Sequence, residues 1–329
     1  MNRFYRPFNT AGTDVEENMD TPVLPADSKF TKWLKRKTFR GFDGHSLYDV
    51  GKYFLRSLFR ENMTMRASSL SFNFFLALFP TLIFLLSLLA FLPIVGLKTQ
   101  LLTELGRILP QSSFEQMRFT ILTLLKKQQS GLLSFGLLLA VFFASNAFHT
   151  LISTFNRRLP DKKKRNWVQN RLHAIGLTIL ITLLIIAGLL VLTGFFKANK
   201  YMILHKWAVQ KYLSFILDIL EYGVLACLIT LAISCIYYFA PANVVKWRFF
   251  SAGSMLASIL SILSTYGFSL YVNNFNAYNK VYGSIGAIIA LMVLIYINSL
   301  VIIVGFELNT SIDKARISAL RNPGPDPGD

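Results

Sequence analysis

Six runs of this chain are apolar over a length that reaches across a lipid bilayer: Ala67–Val95, Gly131–Phe155, Leu172–Phe196, Ile219–Ala240, Phe249–Val272 and Gly283–Phe306. A span needs about 20 mostly apolar residues. Lipid offers no partner to backbone N–H and C=O groups, so each run must satisfy them internally, as a helix. The chain therefore reads as an all-α, polytopic membrane protein with six transmembrane helices and amphipathic helices at the surface. Of the 329 residues, 53% are hydrophobic, and the runs take up most of them. No remaining stretch is long enough for a second globular domain.

Charge is arranged around the runs. The formal net charge is +17. In a soluble chain that excess points to nucleic acid, but here the cations flank hydrophobic spans, as expected for topogenic charge and for anionic lipid headgroups. Loops on the N-terminal side of the bundle hold 24 Lys and Arg, against 10 on the other side. The positive-inside rule then puts both termini in the cytoplasm. The expected partners are membrane lipids, with no role for nucleic acid. The oligomeric state is left open.

Four segments follow from composition. Residues 1–28 are polar and acidic and read as disordered. Residues 29–66 are basic with interleaved aromatics, a juxtamembrane amphipathic pattern. Residues 67–309 form the six-helix domain, and 310–329 a cytoplasmic tail. The first outer loop, Lys98–Ser130, carries two stretches at helical spacing divided by Pro110, so two short amphipathic helices are expected there. Cys227 and Cys235 are eight residues apart in one span, too far to bridge each other, and read as packing residues.

The polar residues within the runs are the candidates for function. Arg66, Asn73 and Pro80 recur every seven residues and share a face of the first span. They suit the wall of a substrate path, bent at Pro80, or polar glue between helices. Asn146 and His149 sit in a polar stretch ending the second span. His149 is either a proton carrier or a hydrogen-bonding structural group. Gly253, Ala257 and Ser261, and then Gly283, Gly286 and Ala287, are small residues at spacings that let helices approach closely. The stretch Tyr271–Gly283, with Asn273, Asn274, Tyr278 and Tyr282, reads as an outer turn or a polar headgroup contact. Glu307, at the end of the sixth span, is placed to pair with Arg66 or another inner arginine.

Several chemistries lack their residues. No Asp, Glu, Lys or Arg lies mid-span, and Glu221 stands near an outer end, which disfavours a proton-coupled pump. There is no GxxxxGK[ST] loop for ATP. His45, His149, His173 and His205 have no metal-ligand spacing. No cofactor or metal is expected, and no nucleophile–base arrangement is legible.

Three stretches resemble the YihY/BrkB family of bacterial inner-membrane proteins: RASSLSFNFFLALFP (Arg66–Pro80), FFASNAFHTLISTFN (Phe142–Asn156) and the block Tyr237–Asn309. Within that block, YxxxYGSIGA (Tyr278–Ala287) and GxELN (Gly305–Asn309) are the specific parts. The chain departs from the family where Ala252 replaces a frequent Pro and Leu294 a frequent Trp. The resemblance implies a six-helix bundle in the plasma membrane. It also implies membership of a group that includes virulence and serum-resistance factors, that once carried a tRNA-processing ribonuclease label, and that is linked for some members to movement of envelope lipids. The scattered histidines speak against the ribonuclease label. The resulting expectation is a protein that moves lipid or an amphiphilic envelope component, with no enzymatic activity. The alternatives are a scaffold that docks envelope proteins and, further off, an enzyme acting on lipid or RNA.

Overall fold

The computed structural model describes Trp33, residues 37–38, 41–42, 44–60 and 62–91, Arg118, Leu122, and residues 130–157, 165–204, 210–242, 249–274 and 276–321. The side chains of some helical residues, 272–285 among them, lie outside that description. The expected disorder of residues 1–28, the two helices of Lys98–Ser130 and the end of the tail fall outside the described residues.

Seven helices make up nearly all of what is described: α1 (Leu47–Arg60), α2 (Met63–Phe91), α3 (Ser130–Asn156), α4 (Trp167–Leu204), α5 (Gln210–Phe239), α6 (Ala252–Asn274) and α7 (Asn276–Arg321). No β-sheet occurs among the described residues; Thr38 and Ser46 form an isolated bridge. Helices α2 to α7 each contain a stretch long and apolar enough to cross a membrane: Met63–Phe84, Leu133–Asn156, Trp167–Gly188, Phe215–Phe239, Ala252–Tyr271 and Ile288–Ala319. The protein is all-α and polytopic, with six candidate spans.

The helices outrun the apolar stretches that predict them. Helix α4 begins at Trp167, so Arg171, expected in a loop, lies one turn inside it. Asn166 starts that helix, and its backbone N–H donates to the Gln169 side chain at 3.2 Å, half of a capping box. Helix α5 begins at Gln210 and takes in both Asp218 and Glu221. The Asn- and Tyr-rich stretch expected as a turn is helical up to Asn274 and again from Asn276. Pro80 lies inside α2 and is buried there.

The chain divides into two compact units. One is built from both ends of the sequence, Met1–Glu61 with Thr310–Asp329, and holds α1 and the last turns of α7. Its α1 is strongly amphipathic. The Ser46 hydroxyl accepts from the Asp49 N–H at 3.1 Å and caps it, after a turn in which Gly44 takes the left-handed φ of 86° that glycine tolerates. Val50 and Ser57, seven residues apart on one face, are buried, as are Ile312 and Ala315.

The other unit, Asn62–Asn309, is the membrane bundle. Sequential helices pack side by side: α2 on α3, α3 on α4, α4 on α5 and α5 on α6. The α2–α3 pair stays close along its length. A Cβ at Gly136 would stand 3.4 Å from the Phe84 backbone, and Phe74 meets Phe148 edge-on at 5.6 Å. We call the end of the bundle where α2, α4 and α6 begin the proximal end. Phe155, Tyr237 and Phe306, all buried, form the core there. Phe155 and Phe306 stack at 3.7 Å and 6°.

Burial falls away toward the other end. No described side chain is buried between Phe215 and Ala232 of α5, Ile259 and Tyr271 of α6, or Ile288 and Asn298 of α7. In α6, Thr265, Tyr266 and Gly267 are all exposed, as are Ser269, Leu270 and Tyr271. Three consecutive residues point about 100° apart, so together they sample most of the helix circumference.

Candidate functional site

The proximal end holds the described polar contacts that join the first span to the second and to the last. Arg66, one turn into α2, donates from Nη1 to Glu307 Oε1 at 2.9 Å and from Nη2 to the Thr154 carbonyl at 3.2 Å. The Glu307 side chain is wholly buried, and that of Arg66 keeps 19% of its exposure. A buried carboxylate needs such a partner, because an uncompensated charge in a low-dielectric interior is expensive. The pair ties the first span to the last. Of the inner arginines open to Glu307 from sequence, the partner is Arg66.

Two turns deeper, Asn146 Nδ2 donates to Asn73 Oδ1 at 2.7 Å, joining α3 to α2. The Asn73 amide in turn donates to the Ser69 carbonyl at 2.8 Å. The structure thus brings Arg66 together with Glu307, and Asn73 together with Asn146, as two cross-helix contacts on the α2 face that also holds Pro80. His149, one turn from Asn146, is half-buried on the same face of α3. The side chains of Asn273, Asn274, Tyr278 and Tyr282 lie outside the described residues, as do those of Gly283 and Ala287. Gly286 is buried.

The small residues of α6 meet the end of α7. A Cβ added to Gly305 would stand 2.6 Å from the Gly253 carbonyl oxygen, 2.6 Å from Tyr237 Oη and 2.7 Å from Ala257 Cβ. A Cβ on Gly253 would clash with the Gly305 carbonyl oxygen. The two glycines let backbones touch. Ser261, two turns further along, donates its hydroxyl to the Asn298 amide oxygen.

The stretch Gly305–Asn309 has a contact to a different helix at nearly every position. Gly305 admits α6, Phe306 stacks on α3, and Glu307 takes Arg66 of α2. Asn309 Oδ1 accepts from the Gly253 N–H at 2.8 Å, and its Nδ2 donates to Ser251 Oγ at 2.8 Å. Asn309 therefore caps the start of α6 from outside, where first-turn N–H groups have no intrahelical acceptor. Ser251 and Ser254 complete the cap reciprocally, at 3.0 and 3.1 Å.

Four further residues make polar contacts between these helices and their connecting segments. Tyr237 donates to the Ile302 carbonyl at 2.6 Å. Asn298 is named above. Asn156 Oδ1 accepts from the Ala242 N–H at 2.7 Å. Arg165 donates to the Pro241 carbonyl at 2.9 Å, and burial draws its pKa below the ordinary arginine value. Asn156 and Arg165 thus bind the segment after α3 to the segment after α5. For Asn156 and Arg165 the available signal was a polar residue beside the end of an apolar run, where backbone groups lack intrahelical partners; Asn298 instead lies inside its run and needs a partner on another helix.

One continuous polar feature leaves this end. Ser254, Ser258, Ser261, Thr265 and Ser269 follow one another at steps of four, three, four and four, which keeps them on one face of α6. Ser254 and Ser258 are buried, Ser261 is half-buried, and Thr265 and Ser269 are exposed. Among the described residues, no group of three His, Cys, Asp or Glu side chains could hold a metal ion.

Six apolar helices joined at one end by buried polar contacts define a multi-pass membrane protein of the helical-bundle class. The family model described as "Virulence factor BrkB" matches residues 54–328. The chain belongs to that family. It is 30% identical over 267 residues to "Putative ribonuclease-like protein YfkH" of Bacillus subtilis (strain 168), across 78% of this chain and 93% of that one. It is 23% identical over 269 residues to a "UPF0761 membrane protein" of Tolumonas auensis, across 81% and 86% of the two chains. A "UPF0761 membrane protein" of Verminephrobacter eiseniae shares 29% over 260 residues, 76% of this chain and 59% of that one. No solved structure matches.

Proposed function

We propose that the protein is a conduit for lipid or an amphiphilic envelope component in the bacterial inner membrane, with the proximal end and both termini in the cytoplasm. The observation that carries this reading is the contrast along α5, α6 and α7. These helices are locked together proximally by Tyr237, Gly253, Gly305 and Asn309, yet no described side chain is buried over Phe215–Ala232, Ile259–Tyr271 or Ile288–Asn298. A headgroup needs polar partners while its tails stay in hydrocarbon. The hydroxyls of Ser261, Thr265 and Ser269, running from half-buried to exposed, supply such partners without fixed charge. The Lys and Arg asymmetry supports the orientation.

The reading is non-enzymatic. The ribonuclease label belongs to the name of the Bacillus relative. The polar side chains of this site are tied to each other and to backbone, as in Asn73–Asn146 and Asn309–Gly253, rather than aligned as nucleophile and base.

The test is translocation. Purified full-length protein in liposomes with a headgroup-labelled phospholipid should expose label to an external quencher faster than protein-free vesicles do. Thr265→Val with Ser269→Val should slow that exchange several-fold and leave thermal stability unchanged, because both side chains are exposed. Exchange no faster than in empty vesicles ends the proposal.

A further inference from the structure

The described arginines at the proximal end are not equivalent. Arg66 is held by Glu307 and the Thr154 carbonyl. Arg165 is held by backbone carbonyls after α5. Arg157 is exposed beyond the end of α3. Arg171 differs from all three. It lies within the apolar span Trp167–Gly188, about 6 Å into α4 by helix rise. Its guanidinium stands over the Phe142 ring of α3, 5.3 Å from the centroid.

Stacking on a ring uses the face of the guanidinium and leaves the N–H groups at its edge. Among the described residues, no hydrogen-bond acceptor or carboxylate takes those N–H groups. A cation with unfilled donors inside an apolar span is costly unless something from the membrane fills them. The surroundings fit a lipid. Phe142 is 55% exposed, with Leu138 and Leu172 more exposed still, so the site opens on an apolar surface able to lie against an acyl chain. Trp167, one turn toward the helix start, is exposed where an interfacial aromatic belongs. Asn146 and His149, half-buried on the same α3 face as Phe142, add polar groups.

We propose that Arg171, oriented by Phe142, binds the phosphate of an anionic phospholipid whose acyl chain lies along the exposed α3–α4 surface. A guanidinium fork matches two phosphate oxygens, which an ammonium does not. The site does not depend on translocation, so a protein that holds this lipid without moving it still satisfies the proposal.

Equilibrium binding to the full-length protein in detergent micelles tests it, read by native mass spectrometry. The probes are dioleoylphosphatidylglycerol, dioleoylglycerol (the same chains without phosphate) and inorganic phosphate. Phosphatidylglycerol should bind and dioleoylglycerol should not, and millimolar phosphate should leave the bound lipid in place. Arg171→Gln should weaken phosphatidylglycerol roughly tenfold or more, as expected for loss of a charge-assisted bond. Arg157→Gln should leave binding unchanged. Phe142→Leu, at an exposed position that tolerates the change, should weaken binding by a smaller factor and keeps the test alive if Arg171→Gln does not fold. Undiminished lipid binding by Arg171→Gln, or by Phe142→Leu where that is the variant in hand, would overturn the proposal. So would equal binding of dioleoylglycerol, displacement by inorganic phosphate, or an equal loss with Arg157→Gln.

Discussion

Glu307 is the residue on which the proximal end turns. Its side chain is fully buried and its charge is met by Arg66 at 2.9 Å. Replacing Arg66 by Gln leaves that carboxylate in the interior without its counter-charge, which should cost about 3–5 kcal/mol. The expected outcome is a clearly lowered thermal midpoint in detergent, with part of the loss recovered when Glu307→Gln is added, since the neutral pair has no stranded charge. A double variant no more stable than Arg66→Gln alone would show that the pair is not what holds the ends together. Gly305 makes the steric counterpart. Ala there would place a methyl 2.6 Å from both the Gly253 carbonyl and Tyr237 Oη. Overpacking of this kind costs about 1–3 kcal/mol, and the same thermal measurement reads it. At this scale the residue types were legible. Asn73 and Asn146 are conspicuous because polar groups inside apolar runs need partners, and Arg66 and Glu307 because they stand as charges at the edges of such runs. Their partners were not all legible: sequence left Glu307 a choice of inner arginines, and Asn73 a choice between a substrate path and helix contact.

Helices were the most legible level, because hydrophobic length forces them in lipid. Their ends were less so. Arg171 read as loop because a charge interrupts the apolar run, but the Asn166 and Gln169 cap starts α4 before it, and the guanidinium reaches back over Phe142. The Tyr271–Tyr282 stretch read as an outer turn or a headgroup contact, and helix reaches Asn274 from one side and Asn276 from the other. The start of α6 depends on another helix altogether, since Asn309 supplies an acceptor to Gly253 and a donor to Ser251. Asn309→Ala should therefore cost about 1 kcal/mol, the usual scale for a lost cap. The thermal midpoint should fall modestly, and an equal fall with Asn309→Asp, which keeps only the acceptor, would show that the donor to Ser251 carries the effect.

Met1–Glu61 and Thr310–Asp329 share one compact unit, and six candidate spans separate them. An even number of crossings returns a chain to the side it left. Fluorescent-protein fusions at either terminus should glow in the cytoplasm, and alkaline phosphatase fused after Asp329 should be inactive. Active phosphatase there would contradict the topology. The sequence by itself determined the number of candidate spans and their helical, membrane-crossing character, because both follow from hydrophobic length, which acts locally. Only the tertiary structure decided which polar side chains meet. Arg66 and Glu307 are 241 positions apart, and Arg171 is set apart from Arg66 and Arg165 solely by what lies across from it. Neighbours in space come from how helices are stacked, and a linear pattern of apolar residues, equally satisfied by lipid on every side, does not encode that order.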